Sequence, residues 1–159
     1  MSSGSDLLIL STGLCTAEIL RLESALKSAH VSITHLHIPV LKPAPKEQLI
    51  EYVTRKNLKG IITVENHQSR GGLGSVVAEL MATRKREKTE KSPRLLMLGV
   101  QDSFAQSGKT EYLLRKYGLD VGAIVAGIEQ LLGRKLGINI AELPPSPWSS
   151  LTEESLPIR

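Results

Sequence analysis

Four short apolar runs, each followed by a segment with helical spacing, constrain this chain more than any other feature. Residues 7–12 (Leu-Leu-Ile-Leu-Ser-Thr) are apolar without strict alternation and stop at Gly13. That is the pattern of a strand buried on both faces. Cys15, Ile19, Leu22, Leu26 and Ala29 then recur at helical spacing. Residues 31–38 are rich in β-branched side chains and form a second strand; Pro39, Pro43 and Pro45 punctuate the loop beyond it, and Leu49, Ile50 and Val53 mark the next helix. Residues 60–65 (Gly-Ile-Ile-Thr-Val-Glu) are the clearest strand. A polar stretch, 66–70, separates them from Gly71-Gly72-Leu73-Gly74, which opens a helix through Val76, Val77, Leu80 and Met81. Residues 94–100 form a fourth strand. A short helix is expected over 109–117, with Ser107 or Gly108 near its start and Gly118 as its left-handed cap. Asp120 is placed to cap a last helix whose apolar face is Val121, Ile124, Val125, Ile128, Leu131 and Leu132.

Strands alternating with helices predict a mainly parallel four-stranded sheet in a three-layer α/β/α fold. Right-handed crossovers that cover both faces give the order 2-1-3-4. Ligands and partners of such sheets meet the carboxyl ends of the strands, here the loops at 12–16, 66–74 and 101–108.

The chain has 159 residues, enough for one domain. A domain over 6–140 is expected between a polar leader, 1–5, and a Pro/Ser-rich tail, 141–159. The single Cys15 forbids an intrachain disulfide and a multi-cysteine zinc site. On the apolar face of its helix it reads as a buried, inert thiol. No apolar run reaches the ~18 residues of a membrane helix, and residues 1–5 lack the cationic start of a signal peptide; cytoplasm is the expected compartment. Net charge is +4, with one basic cluster of Arg84, Lys85, Arg86, Lys88 and Lys91. None of the five aromatic residues lies in it, so a solvated surface is expected and no nucleic-acid partner.

Two glycine motifs invite nucleotide readings. Ser107-Gly108-Lys109-Thr110 follows a strand and opens a helix, but a phosphate loop needs a glycine five positions before Gly108, where Ser103 stands. Gly72-Leu-Gly74-Ser-Val-Val77 is a dinucleotide fingerprint with Val77 in place of its third glycine, after the third strand instead of the first. The glycines still permit positive φ and close helix–strand contact, and a helix start can hold an anion. Glu65, Asn66, His67 and Arg70 sit beside them. A carboxylate next to an imidazole suits acid–base work; equally, Glu65 can accept from the amides of the glycine turn. His35 and His37 share one face of the second strand, and two histidines alone make a poor metal site.

In order, residues 8–13 (Leu-Ile-Leu-Ser-Thr-Gly), Lys42-Pro43, Ile62-Thr-Val-Glu65-Asn-His67, Gly71-Gly72-Leu-Gly74-Ser-Val-Val-Ala-Glu79, Leu98-Gly-Val-Gln-Asp102-Ser-Phe104-Ala-Gln-Ser107-Gly108 and Leu113-Leu-Arg-Lys-Tyr117-Gly118-Leu119 together resemble the C-terminal domain of transketolase and its thiamine-diphosphate relatives, deoxyxylulose-phosphate synthase included. The resemblance spans residues 6–132. It implies a packing and assembly module for ketol transfer between sugar phosphates, silent alone. Thiamine diphosphate and a divalent metal would lie between two other domains. No catalytic, cofactor or metal residue is carried onto this chain, and Glu65 does not correspond to the family's catalytic glutamate. The implied partners are the cofactor-binding domains or subunits, with a homodimer expected. The candidate contact or anion-binding residues are Glu65, His67, Arg70, Gly71, Gly72, Gly74, Asp102, Phe104, Ser107 and Gly108. The alternative is an independent binder of small anions or sugar phosphates in the Glu65–Gly74 crevice; a nucleotide hydrolase built on Lys109 is a third reading. The family commonly has a further antiparallel strand before the first one here. The second strand is therefore expected to be a sheet edge that pairs with the tail or with a second copy.

Overall fold

The computed structural model describes residues 4–84 and 92–149. Its strands are β1 (Leu7–Ser11), β2 (Ile33–His37), β3 (Gly60–Gln68) and β4 (Arg94–Val100). Its helices are α1 (Cys15–Ser28), α2 (Lys46–Val53), α3 (Leu73–Thr83), α4 (Thr110–Lys116) and α5 (Val121–Leu132), followed by a 3-10 turn at Ile140–Glu142. The strands form one parallel sheet in the order β2-β1-β3-β4. This is the expected architecture.

Leu7, Leu8, Ile9 and Leu10 are all fully buried, because β1 is central and helices cover both its faces. The alternation of side chains splits them between two cores. Leu7 and Ile9 pack with Leu22, Leu26, Ile62, Ile124 and Ile128, on the side of α1 and α5. Leu8 and Leu10 pack with Leu36, Leu49, Ile61, Leu73 and Val77, on the side of α2 and α3.

The helix ends follow the sequence signals. Asp120 Oδ1 accepts from the Ala123 amide at 3.0 Å at the start of α5. Gly118 (φ +66°) closes α4, with Leu119 donating back to the Leu114 carbonyl at 2.7 Å. The N-cap of α4 is Lys109, one residue later than expected, and no side chain caps it.

Three differences have physical causes. First, β3 does not stop at Glu65 but runs to Gln68, through the stretch expected to be loop. Its pairing with β4 shifts between Val64 and Gln68, so polar residues 66–68 ride on an irregular strand end. Second, residues 141–149 of the Pro/Ser-rich tail are held against the domain. Arg21 Nε donates to the Pro144 carbonyl at 2.7 Å, Ser146 Oγ to Glu18 Oε1 at 2.9 Å, and Leu143 and Trp148 pack on the α1–α5 core. Third, the described tail therefore lies against α1 and not along the β2 edge. Chain from the amino end lies beside β2 instead: Thr34 Oγ1 donates to the Gly4 carbonyl at 2.7 Å, and a Cβ on Gly4 would overlap the Ile33 backbone. Most of the basic cluster, 85–91, lies outside the described residues.

Candidate functional site

The carboxyl ends of β3 and β4 bring the sequence-nominated residues to one end of the sheet, where some of them meet at one buried carboxylate. Glu65 is fully buried where β3 meets the start of α3. Its Oε2 accepts from the Leu73 amide at 2.6 Å and its Oε1 from the Gly74 amide at 2.9 Å. A helix start leaves such amides without intrahelical partners. Gly72, the N-cap, has no side chain to serve them, so Glu65 reaches them from the neighbouring strand. The glycines make room. A Cβ on Gly72 would overlap Glu65 Oε2 and stand 2.7 Å from the Gln68 carbonyl oxygen, and one on Gly99 would come within 3.0 Å of Glu65 Cγ. Gly71 has φ +77° and turns the chain into the helix.

His67 completes the cluster. Its Nδ1 lies 3.1 Å from Glu65 Oε2 and 3.2 Å from the Gln68 carbonyl oxygen, so a proton on Nδ1 serves both acceptors. Burial pushes the Glu65 pKa above its ordinary value; the Gly74 and Leu73 amides and His67 pull it back, less strongly.

The same arrangement closes the crevice between β1 and β3. Gly13 has φ +60°, and a Cβ there would overlap Asn66 Oδ1, so the Asn66 amide group covers the turn after β1. An anion at the α3 start would have to displace the chain's own carboxylate. The implied thiamine diphosphate fits no better: the amides suited to phosphate oxygens are already bonded to Glu65. Among the described residues no group of three or more His, Cys, Asp or Glu side chains is placed to hold a metal ion.

The loop after β4 is tied to this cluster. Arg70 Nη1 lies 2.8 Å from Asp102 Oδ2, Gln68 Nε2 donates to the Ser103 carbonyl at 2.6 Å, and Asp102 takes a positive φ of 40°. Phe104 is fully exposed, and Ser107 and Gly108 are exposed beside it. All ten candidate residues thus lie on or beside one end of the sheet, but only Glu65 with Gly72, Gly74 and His67 forms an interlocked cluster.

Sequence reasoning missed a second polar cluster at the ends of β1 and β2. Ser11 Oγ lies 2.8 Å from His35 Nε2 and 2.8 Å from Thr16 Oγ1, which in turn lies 2.8 Å from His37 Nδ1. The signal was present: His35 and His37 alternate, and β1 places Ser11 opposite His37. Burial lowers the His35 pKa; Glu23, with Oε1 3.7 Å from Nδ1, opposes this, and His37 adds to it. His35 therefore protonates less readily in the fold than in the unfolded chain, whose ordinary value is 6.5. Below that value the unfolded state binds more protons, so stability is lost as pH falls. Unfolding in urea at pH 5 and pH 7 should show a smaller drop for His35→Gln than for the unaltered protein. An equal drop would remove this role. Glu65 acts with the opposite sign: its raised pKa makes stability decline as pH rises above the ordinary 4.5. Cys15 is buried, and burial pushes its thiol up to about 12, so the thiolate is scarce at neutral pH.

The family model for the transketolase C-terminal domain matches residues 1–124. The chain belongs to this family. Relatives of this transketolase C-terminal domain include a transketolase C-terminal section of Methanocaldococcus jannaschii, 36% identical over 125 residues, which covers 79% of the chain and 36% of the relative. A 6-deoxy-6-sulfo-D-fructose transketolase subunit of a Clostridium species is 31% identical over 136 residues, 85% of the chain and 39% of the relative. The 1-deoxy-D-xylulose-5-phosphate synthase of Parabacteroides distasonis is 32% identical over 130 residues, 82% of the chain and 20% of the relative. Among solved structures, a "split gene transketolase, inactive beta4 tetramer" superposes with a TM-score of 0.70 at 30% identity, covering 84% of the chain and 41% of that protein. The domain therefore spans well under half the length of these relatives. No helix among the described residues is long and apolar enough to cross a membrane.

Proposed function

We propose that this domain is the packing and assembly module of a thiamine-diphosphate-dependent transketolase. It supports ketol transfer between sugar phosphates and is catalytically silent alone. The supporting observation is the filled crevice: Glu65 occupies the helix-start amides that a phosphate-binding site would need. The same observation disfavours an independent anion binder. The coenzyme and its divalent metal belong, in this reading, to the cofactor-binding domains or subunits. The contact surface is the strand-end face formed by residues 65–74 and 102–108. The related split-gene transketolase, an inactive beta4 tetramer, supports both association and dependence on other subunits. A homodimeric, cytoplasmic enzyme is the setting this reading assigns.

Mixing tests it. The cofactor-binding domains of the enzyme, supplied with thiamine diphosphate and magnesium, should show ketol transfer that rises and saturates as this chain is added. Activity that is the same with and without the chain would remove the assembly role.

A further inference from the structure

We propose that Phe104 is the anchor by which this domain docks on the cofactor-binding part of the enzyme, its ring filling an apolar pocket rimmed by carboxylates. The inference rests on the assembly reading above and names the residue and the chemistry of its receptor.

Phe104 is the only phenylalanine in the chain, and it stands fully in water. Aromatic side chains in the core of an interface carry a disproportionate share of binding energy. Its loop is ordered beforehand. On one side Ser103 is held to β3 through Gln68, and Asp102 faces Arg70. On the other, the Gln106 amide donates to Tyr117 Oη at 3.0 Å, Gln106 Nε2 to Tyr112 Oη at 3.2 Å, and Lys116 Nζ to Gln106 Oε1. The ring is thus presented on a loop fixed at both shoulders, which lowers the entropy lost on docking. Tyr112, on α4, is half exposed as well, and Tyr117 at the end of that helix packs on the core. Aromatic residues are enriched in interface cores.

The surrounding charge selects the receptor. Asp102 faces Arg70, and Glu111 lies 3.5 Å from Arg115. Lys109 and Lys116 have no acidic partner among the described residues. A second copy of the chain would bring the same lysines against them. A carboxylate-rimmed pocket complements them and steers the encounter. The greater part of each relative lies outside this domain, and the proposal places the complementary surface there.

The experiment titrates the chain into the cofactor-binding domains loaded with thiamine diphosphate and magnesium, with calorimetric detection. Phe104→Ala should keep the melting temperature and weaken binding by ~30-fold or more, the effect of an interface hot spot. Lys109→Glu should weaken it severalfold. Phe104→Ala binding as well as the unaltered chain overturns the anchor while the assembly reading stands. Tighter or unchanged binding by Lys109→Glu overturns the acidic rim. Self-association abolished by Phe104→Ala assigns the ring to a second copy and overturns the proposed receptor. Absence of any binding by the unaltered chain overturns the assembly reading and this inference with it.

Discussion

Gly72→Ala is expected to destabilise the domain by about 2–4 kcal/mol, because the new methyl cannot coexist with the Glu65 carboxylate. The backbone at Gly72 (φ −92°) suits any residue. The cost is one of space: the Cβ would overlap Glu65 Oε2 and crowd the Gln68 carbonyl. The carboxylate must then leave, and the Leu73 and Gly74 amides lose their acceptors in a buried place. Each such orphaned group costs about 1–3 kcal/mol. Glu65→Gln should act on the same two bonds. A carboxamide accepts from one amide but turns its own NH2 against the other. Because both substitutions break one interaction, the double variant should fall short of their sum by about 1 kcal/mol or more. Equilibrium urea unfolding measures all three. Strict additivity would separate Gly72 from Glu65 and undo the description of this helix start.

Ile9→Ala is expected to cost about 2–5 kcal/mol, a large fraction of a typical domain's 5–15 kcal/mol. Ile9 sits on the central strand with no exposed surface, between Ile62 on β3 and the helices α1 and α5. Neighbours fixed on two strands and two helices cannot collapse into the void, so both the transfer loss and the cavity remain. Met97→Ala is the contrasting case. Met97 is 38% exposed on the edge strand β4. Its flexible side chain lies over Gly74, where solvent can replace it, and the loss should stay below about 1.5 kcal/mol. Equal losses at the two positions would contradict the burial gradient from β1 to β4.

How much of this was legible depended on whether a residue's role was local. The unalternating run at 7–10 announced a strand buried on both faces. Asp120 and Gly118 announced their caps, since capping is decided by neighbours within a turn. The end of β3 was not legible: Asn66, His67 and Gln68 have loop composition, yet the strand runs on through a register shift to Gln68, which pairs with Val100 on β4. Glu65 stood out as a polar group at a strand end. The choice between catalysis and capping, however, depended on how far its carboxylate lies from the α3 amides, which no spacing encodes. The docking of 141–149 was not legible for a similar reason. Its Pro/Ser composition describes the backbone, whereas its position is set by Ser146, Leu143 and Trp148 meeting α1 across more than a hundred residues of sequence.

In the proposed assembly this chain supports a coenzyme site without containing one. Titration of thiamine diphosphate with magnesium into the isolated chain tests it most directly. No saturable heat is expected from the chain alone, and saturable heat only once the cofactor-binding domains are present. Tight binding of thiamine diphosphate by the chain alone, or turnover of a ketose phosphate without added domains, would contradict it.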